Sequence, residues 1–270
     1  TEGLQKGDRI VAIGDDTVTA ENSAEMAGKL SGIKLTSVSL TYRRDDVDKS
    51  VNVVLGYTNQ TVSYELIGTV GYIKISAFYK NTLNQLEKAI TQLKKEGAKS
   101  LIFDVRSTYD GTVEYTCRVI DLLVPTATEG NKAIATLVDK TGKTVKTYSS
   151  DSKDIIMPMA VLINSDTAGC GELFACDLKD FGKAFLIGEK TAGRADVQET
   201  FELSDGGAIV LTTSKMLPYI SDSFDGNGLT PDTEIILADS LRENLSTLEK
   251  DRDTQLQAAV SMLAGNSAEE

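Results

Sequence analysis

The sequence contains no histidine and no tryptophan, and only four prolines in 270 residues. The missing imidazole is the most consequential absence. It removes every Ser-His or Cys-His catalytic pairing, and with it most zinc chemistry, before any motif is weighed. Three cysteines, Cys117, Cys170 and Cys176, make no metal-spaced pair, and an odd number leaves at least one thiol free. They read as scattered buried thiols. Excess positive charge is absent too. The net charge of -12 and a pI near 4.6 give no footprint for nucleic acid and would repel an anionic bilayer surface. No run approaches the ~18 apolar residues that span a membrane, and the N-terminus has no signal-peptide pattern. No metal or other cofactor is implied.

What is present is a globular composition, 41% apolar, in a chain long enough for one large or two modest domains. Residues 8–55 read as a small β-rich region with one helix. Strand character lies at 8–13 and a helix at 20–30. Alternation follows at 36–43, with Val38, Leu40 and Tyr42 on one face, and again at 50–55. The charged stretch 43–49 reads as a hairpin loop, and 56–62 as a linker.

From there the pattern changes to alternating strands and helices, the signature of an α/β layer. Strands are expected at 71–78, 100–105, 159–163, 184–188, 197–203 and 208–213. A hairpin is expected from 133–138 and 144–148 around Lys140-Thr141-Gly142. Helices are expected at 82–96, opened by Thr82 and Gln85 and stopped by Gly97, at 112–124, and at about 170–181. Residues 238–270 read as one C-terminal helix, with a capping box at Ser240 and Glu243. Its stripe of Leu241, Leu245, Leu248, Leu256, Val260 and Leu263 would pack on the α/β layer. A partner-docking face is the alternative.

Several segments now resemble one family, the tail-specific (C-terminal processing) serine peptidases. Gly3-Leu4-Gln5-Lys6-Gly7-Asp8-Arg9-Ile10 is similar to the second half of their PDZ domain. Gly71-Tyr72-Ile73-Lys74-Ile75 and Leu101-Ile102-Phe103-Asp104-Val105-Arg106 resemble the first strands of their protease core. Gly188-Glu189-Lys190-Thr191, Gly226-Asn227-Gly228-Leu229-Thr230-Pro231-Asp232 and Asp253-Thr254-Gln255-Leu256 resemble three further signatures. The resemblance implies a crotonase/Clp-peptidase-like α/β core at 62–237, a partial PDZ-like domain at 1–57, and extracytoplasmic location. It further implies a serine-lysine dyad acting on peptide or protein tails. Self-association is common in the family, so a homo-oligomer is compatible with it. The chain starts at the loop before the 8–13 strand. It is therefore expected to be either a fragment or a module without the carboxylate-binding loop of the PDZ groove.

A serine-lysine dyad needs a hydroxyl nucleophile and an amine that burial holds neutral. The family's Ser-Ala-Ser-Ala-Ser-Glu type turn corresponds here to Thr167-Ala168-Gly169-Cys170-Gly171-Glu172, with Gly169 in the nucleophile's place. The family lysine follows a Gly-Glu-x-Thr-x-Gly signature. Here Gly188-Glu189-Lys190-Thr191-Ala192-Gly193 leads to Arg194, 25 residues downstream (169 to 194). Glycine has no atom that attacks a carbonyl, and arginine is not deprotonated in proteins. The resemblance therefore implies that no catalytic residue is intact.

Gln198 stands where a glutamine supports the family lysine, although a plain polar strand position accounts for it equally. The oxyanion loop reads Arg106-Ser107-Thr108-Tyr109-Asp110-Gly111, so only one glycine of a Gly-Gly pair remains. Asp110 would set negative charge where an oxyanion forms. Backbone N–H groups of Gly111 and Cys170 are the remaining donors. Rescue chemistry has Cys170 as its best candidate, on the expectation that a helix N-terminus lowers its pKa, with Thr167 and Ser165 behind it. Three readings follow: an inactive homologue that binds peptides or proteins, a working peptidase with a rearranged site, and a structural or assembly module.

Overall fold

The computed structural model describes residues 4, 7–28, 37–54, 60–125, 133–150, 155–203, 207–242, 245 and 247–265. The chain divides into two compact units, Thr1–Asn59 and Gln60–Glu270.

The first unit holds one antiparallel sheet, in the order β2-β1-β3-β4, formed by β1 (Arg9–Ile13), β2 (Asp16–Thr17), β3 (Ser37–Arg44) and β4 (Val47–Val54). Helix α1 (Ser23–Gly28) places Met26 against Ile13 and Leu40, with Ile10, Val38, Val51 and Val53 around them. The helix expected at 20–30 begins later, because Thr19 and Asn22 bond each other's backbone N–H groups ahead of it, at 2.7 and 3.3 Å. Residues 29 and 30 lie outside the described residues.

The expected 43–49 loop is a correction. Strand pairing runs on to Arg44 opposite Val47, and only Asp45-Asp46 turn, both with positive φ (51° and 58°), as a primed two-residue turn requires. The charges that suggested a loop are partners. Arg43 grips Asp48 across the hairpin at 2.6 and 2.9 Å, and Arg44 grips Asp8 at 2.6 Å.

The second unit is built on a six-stranded sheet of order β14-β11-β10-β7-β6-β5. Its strands are β5 (Val62–Ile67), β6 (Val70–Ile75), β7 (Ser100–Asp104), β10 (Met159–Ile163), β11 (Ala184–Gly188) and β14 (Thr233–Glu234). Pairing is parallel except between β5 and β6. Strand β10 reads Met-Ala-Val-Leu-Ile and is buried throughout, as befits a central parallel strand covered on both faces. Met159, Val161 and Ile163 join the cluster under α2 (Thr82–Lys95), α3 (Val113–Leu123) and α4 (Cys170–Asp180). Ala160 and Leu162 face the opposite way, onto Leu256, Ala259 and Leu263 of α6 (Thr254–Gly265). A second, antiparallel sheet has the order β12-β13-β8-β9, from β8 (Ala133–Val138), β9 (Thr144–Ser149), β12 (Asp196–Glu202) and β13 (Ala208–Leu217).

Four expectations change here. Strand β5 opens the unit, so the 56–62 linker gives way at Val62; residues 56–59 are not among those described. The strand expected at 71–78 ends at Ile75, and Phe78 instead makes a single bridge to Gly111. Thr82 and Gln85 do not cap α2. The Thr82 hydroxyl accepts the Tyr79 N–H, and the Gln85 amide oxygen accepts the N–H groups of Thr61 and Val62. Finally, 238–270 is not one helix. A four-residue helix α5 (Asp239–Arg242) is followed by a 3-10 turn at Lys250–Arg252 and then by α6. The break is enforced by Asp253, whose carboxylate both accepts the Leu256 N–H and meets a buried arginine.

Candidate active site

Two crossovers converge at the carboxyl ends of β7 and β10. After β7 the chain enters the 105–111 loop, and after β10 it turns through 164–169 into α4. The two turns are stitched together. The Asn164 side-chain oxygen accepts the Ser107 N–H at 2.8 Å, the Thr167 hydroxyl donates to the Val105 carbonyl at 2.9 Å, and Ala168 N–H donates to the Thr108 carbonyl at 3.1 Å. Their backbones approach so closely that a Cβ at Gly171 would stand 2.3 Å from the Thr108 oxygen, which only glycine avoids.

Gly169 ends this turn as the N-cap of α4, with φ 54° and ψ −111°, a conformation that strains any other residue. Space is not the obstacle, since a Cβ there meets nothing nearer than the Tyr109 oxygen at 3.5 Å. Arg194 follows the loop after β11. A single carboxylate joins the two positions. Glu172 is fully buried and accepts the N–H of Gly169 at 3.0 Å and of Arg194 at 2.8 Å on Oε2. On Oε1 it accepts the Gly193 N–H at 2.6 Å and the Thr191 hydroxyl at 2.5 Å. The segment 191–194 is therefore locked to the first turn of α4. The sequence pattern included Glu172 in its motif without assigning it this role. The available signal was a glutamate at the third helical position, where capping boxes place one.

A groove of about 1060 Å³ opens over these residues, and Gly111, Gly169, Cys170, Arg194 and Gln198 all line it. The structure thus brings these five positions to one groove, whereas Ser165 and Thr167 do not line it. It also corrects three details. First, the Gly111 N–H is engaged by the Asp110 carboxylate at 2.9 Å, so it is no open oxyanion donor. The Tyr79 hydroxyl also donates to Asp110, and that bond raises the phenol pKa to about 12. Second, the Cys170 thiol is pushed up to about 11, not lowered. Its burial outweighs a helping contact from Thr116, and the charge of Asp110 adds to the rise. A thiol so protonated at neutral pH is a poor nucleophile. Third, Thr167 is fully buried and committed to the Val105 carbonyl, which removes it as a reserve nucleophile.

Behind the 105–111 loop lies a cluster not anticipated from sequence. The Arg106 guanidinium bonds Asp104 at 2.9 and 2.7 Å, Asp253 at 3.0 and 2.7 Å, and Gln255 at 2.9 Å. The Tyr72 hydroxyl completes the set with a 2.6 Å bond to Asp104. Burial alone would raise the Asp104 pKa, but the guanidinium overcomes it and leaves the carboxyl below its usual range. The same burial and the neighbouring Asp104 push the Tyr72 phenol up. This cluster fixes the root of the loop to the start of α6. Among the described residues no group of three or more His, Cys, Asp or Glu side chains is arranged to hold a metal ion. Nor is any helix long and apolar enough to cross a membrane.

Comparison with known proteins bears on this arrangement. The fold is similar to the photosystem II D1 C-terminal processing protease, with a TM-score of 0.57 at 23% identity over 87% of this chain and 64% of that one. It is also similar to the tricorn protease, with a TM-score of 0.54 at 20% identity over 98% of this chain and 25% of that one. In sequence it is 30% identical to a carboxyl-terminal-processing protease of Synechocystis over 98% of this chain and 62% of the relative. It is 32% identical to the chloroplastic carboxyl-terminal-processing peptidase 1 of Arabidopsis thaliana over 90% of this chain and 51% of the relative. The chain thus spans between half and two thirds of these two curated relatives. The model of peptidase family S41 matches residues 69–235, which cover the parallel sheet, both turns and the groove, and the chain belongs to that family.

Proposed function

We propose that this chain is a catalytically silent S41 homologue that binds peptide or protein tails in the groove over Gly169 and Arg194. One observation carries the reading. The two positions that the resemblance assigns to nucleophile and base lie together, joined through one oxygen of Glu172, and neither side chain can act. Gly169 offers no attacking atom, and Arg194 offers a permanent cation in place of a neutral amine. Loss of a nucleophile or base alone costs on the order of 10⁶ in rate in the subtilisin case. The best substitute nucleophile, Cys170, is buried and held protonated. The framework around the gap is nevertheless retained, which favours binding as the surviving activity.

The first unit, with its four-stranded sheet and the short helix α1, is read as part of a PDZ-like module. Location outside the cytoplasm rests on the family resemblance.

Incubation with an unfolded protein such as reduced casein tests the proposal. The unaltered chain is expected to leave the substrate intact, and Gly169→Ser combined with Arg194→Lys to restore turnover. Cleavage by the unaltered chain would overturn it, and Cys170→Ala would then show whether that thiol is the nucleophile.

A further inference from the structure

We infer that the open edge of strand β5 is a docking site for an extended acidic segment of a partner protein. That segment adds to the six-stranded sheet as a further strand, with its carboxylates over Lys88 and Lys95 of α2. The site shares no lining residue with the groove and does not depend on the binding role proposed above.

Strand β5 ends the sheet and pairs, among the described residues, only with β6. The two are joined by a two-residue turn, Gly68-Thr69, with the glycine at positive φ (61°) in its first place, as a tight hairpin requires. Ile67 and Val70, on either side of that turn, form a hydrogen-bonded pair, and by alternation so do Glu65–Tyr72 and Ser63–Lys74. The N–H and C=O groups of Val62, Tyr64 and Leu66 therefore point away from β6. Two glutamines close the first of these residues. The Gln85 amide oxygen accepts the Val62 N–H at 3.1 Å, and the Gln60 amide donates to the Val62 carbonyl at 3.2 Å. Among the described residues nothing closes Tyr64 or Leu66, so their donors and acceptors stand open.

Beside this edge lies a cleft of about 360 Å³ lined by Tyr64, Glu87, Lys88, Thr91, Gln92 and Lys95. Residues 80–99 hold five lysines and two glutamates in a chain of net charge -12, and all five lysines are exposed. None of the five meets a carboxylate among the described residues. Glu87 reduces the positive charge of the cleft without cancelling it. Lysines guard against unwanted pairing when they stand on an edge strand itself. Strand β5 reads Val-Ser-Tyr-Glu-Leu-Ile and carries none, so the cations stand beside the space of an added strand, on the neighbouring helix.

The side chains of Val62, Tyr64 and Leu66 share the α2 side of the sheet, two of them in the core cluster and Tyr64 in the cleft. In an added strand every second side chain takes that side, at a spacing of about 6.7 Å. Lys88 and Lys95 are two helical turns apart, about 10.5 Å along the axis, a difference that flexible lysine stems span. On the other side Glu65 is paired with Lys250, so neutral β-formers fit the intervening positions. A bilayer or a polyphosphate supplies charge but no backbone partner for Tyr64 and Leu66. An extended acidic peptide supplies both.

The test uses a fluorescein-labelled octapeptide alternating glutamate and valine, made as the C-terminal amide so that it carries no free tail. Its counterpart has lysine in place of glutamate. Against the overall charge of the chain, fluorescence polarisation is expected to show the acidic peptide binding about tenfold more tightly. Lys88→Glu combined with Lys95→Glu is expected to reverse that preference, weakening the acidic peptide and tightening the basic one, a gain that misfolding does not produce. N-methylation of alternate amides removes donors from one edge of the peptide at a time, and one of the two methylated forms is expected to lose about tenfold more affinity than the other. Equal binding of the acidic and basic peptides, or binding of neither, overturns the inference. An acidic preference that survives the double reversal overturns it too, and if that preference falls in Arg194→Gln the peptide belongs to the groove. Equal affinities of the two methylated forms leave the charges without the added strand and also overturn it.

Discussion

Arg106 and Arg194 are the same side chain used in opposite ways. Arg106 is buried, and its guanidinium makes five hydrogen bonds to Asp104, Asp253 and Gln255. Arg194 is exposed, and no carboxylate meets its guanidinium among the described residues. A buried charge has to be surrounded by partners or it is prohibitively costly. An open one can wait for a partner supplied by another molecule. The pair separates what holds the site together from what the site presents. Helix α4 repeats the contrast with two fully buried carboxyls. Glu172 has four donors, whereas Asp177 has the Tyr219 N–H on one oxygen and no partner on the other among the described residues.

The comparison breaks first at Arg106. Arg106→Met leaves Asp104 and Asp253 uncompensated in the interior and should cost about 3–5 kcal/mol in urea unfolding. A loss under about 1 kcal/mol would mean the cluster is not the anchor described. Next comes Glu172→Gln, which turns one carboxylate oxygen into a donor facing backbone N–H groups. It should cost roughly 1–3 kcal/mol. It should also weaken peptide binding beyond that of a surface control, because the backbones of Gly169 and Arg194 lose their common acceptor.

Asp177 sharpens the contrast through pH. Its burial, and next the charge of Asp180, hold its pKa well above the ordinary carboxyl value, against the Tyr219 N–H. Such a group contributes its full stability below its unfolded pKa, near 3.9, and loses that contribution as pH rises toward the folded value. Asp177→Asn should therefore flatten the fall in stability on moving from about pH 4 to neutrality. An unchanged pH profile would show that the carboxyl is solvated after all. The smallest effect belongs to Arg194→Gln, which should shift the unfolding free energy by less than about 0.5 kcal/mol, because nothing in the folded chain depends on that guanidinium. A larger shift would reveal a structural partner.

Legibility from sequence followed the range of the interactions involved. The α2 stripe of Leu86, Ile90 and Leu93 and the apolar run of β10 declare themselves locally, and both are found where expected. Gly169 and Arg194, singled out by short motifs at a fixed spacing, line one groove and share Glu172 as acceptor. What escaped depends on partners distant in the chain. Asp253 ends any continuous terminal helix because Arg106 requires it, and Glu172 reads as an ordinary helix-start acid until Thr191, Gly193 and Arg194 fold back onto it. The 43–49 charges suggested solvent, but Arg43 and Asp48 are cross-strand neighbours. At Cys170 desolvation overrides the Thr116 contact that would lower the pKa, so position at a helix start did not decide it.

The bond between Arg106 and Asp253 spans 147 residues. Contacts so remote in sequence form late, since long loop closure has to be met before they are rewarded. During translation most of the parallel sheet leaves the ribosome before Asp253 does. Until then a cation destined for the interior has only Asp104 to pair with, and the apolar face awaiting α6, with Ile102 and Leu162 on it, lies bare. The root of the 105–111 loop is thus secured only once α6 arrives, and a nascent chain interrupted before α6 would present chaperones and proteases with a sticky, half-finished sheet.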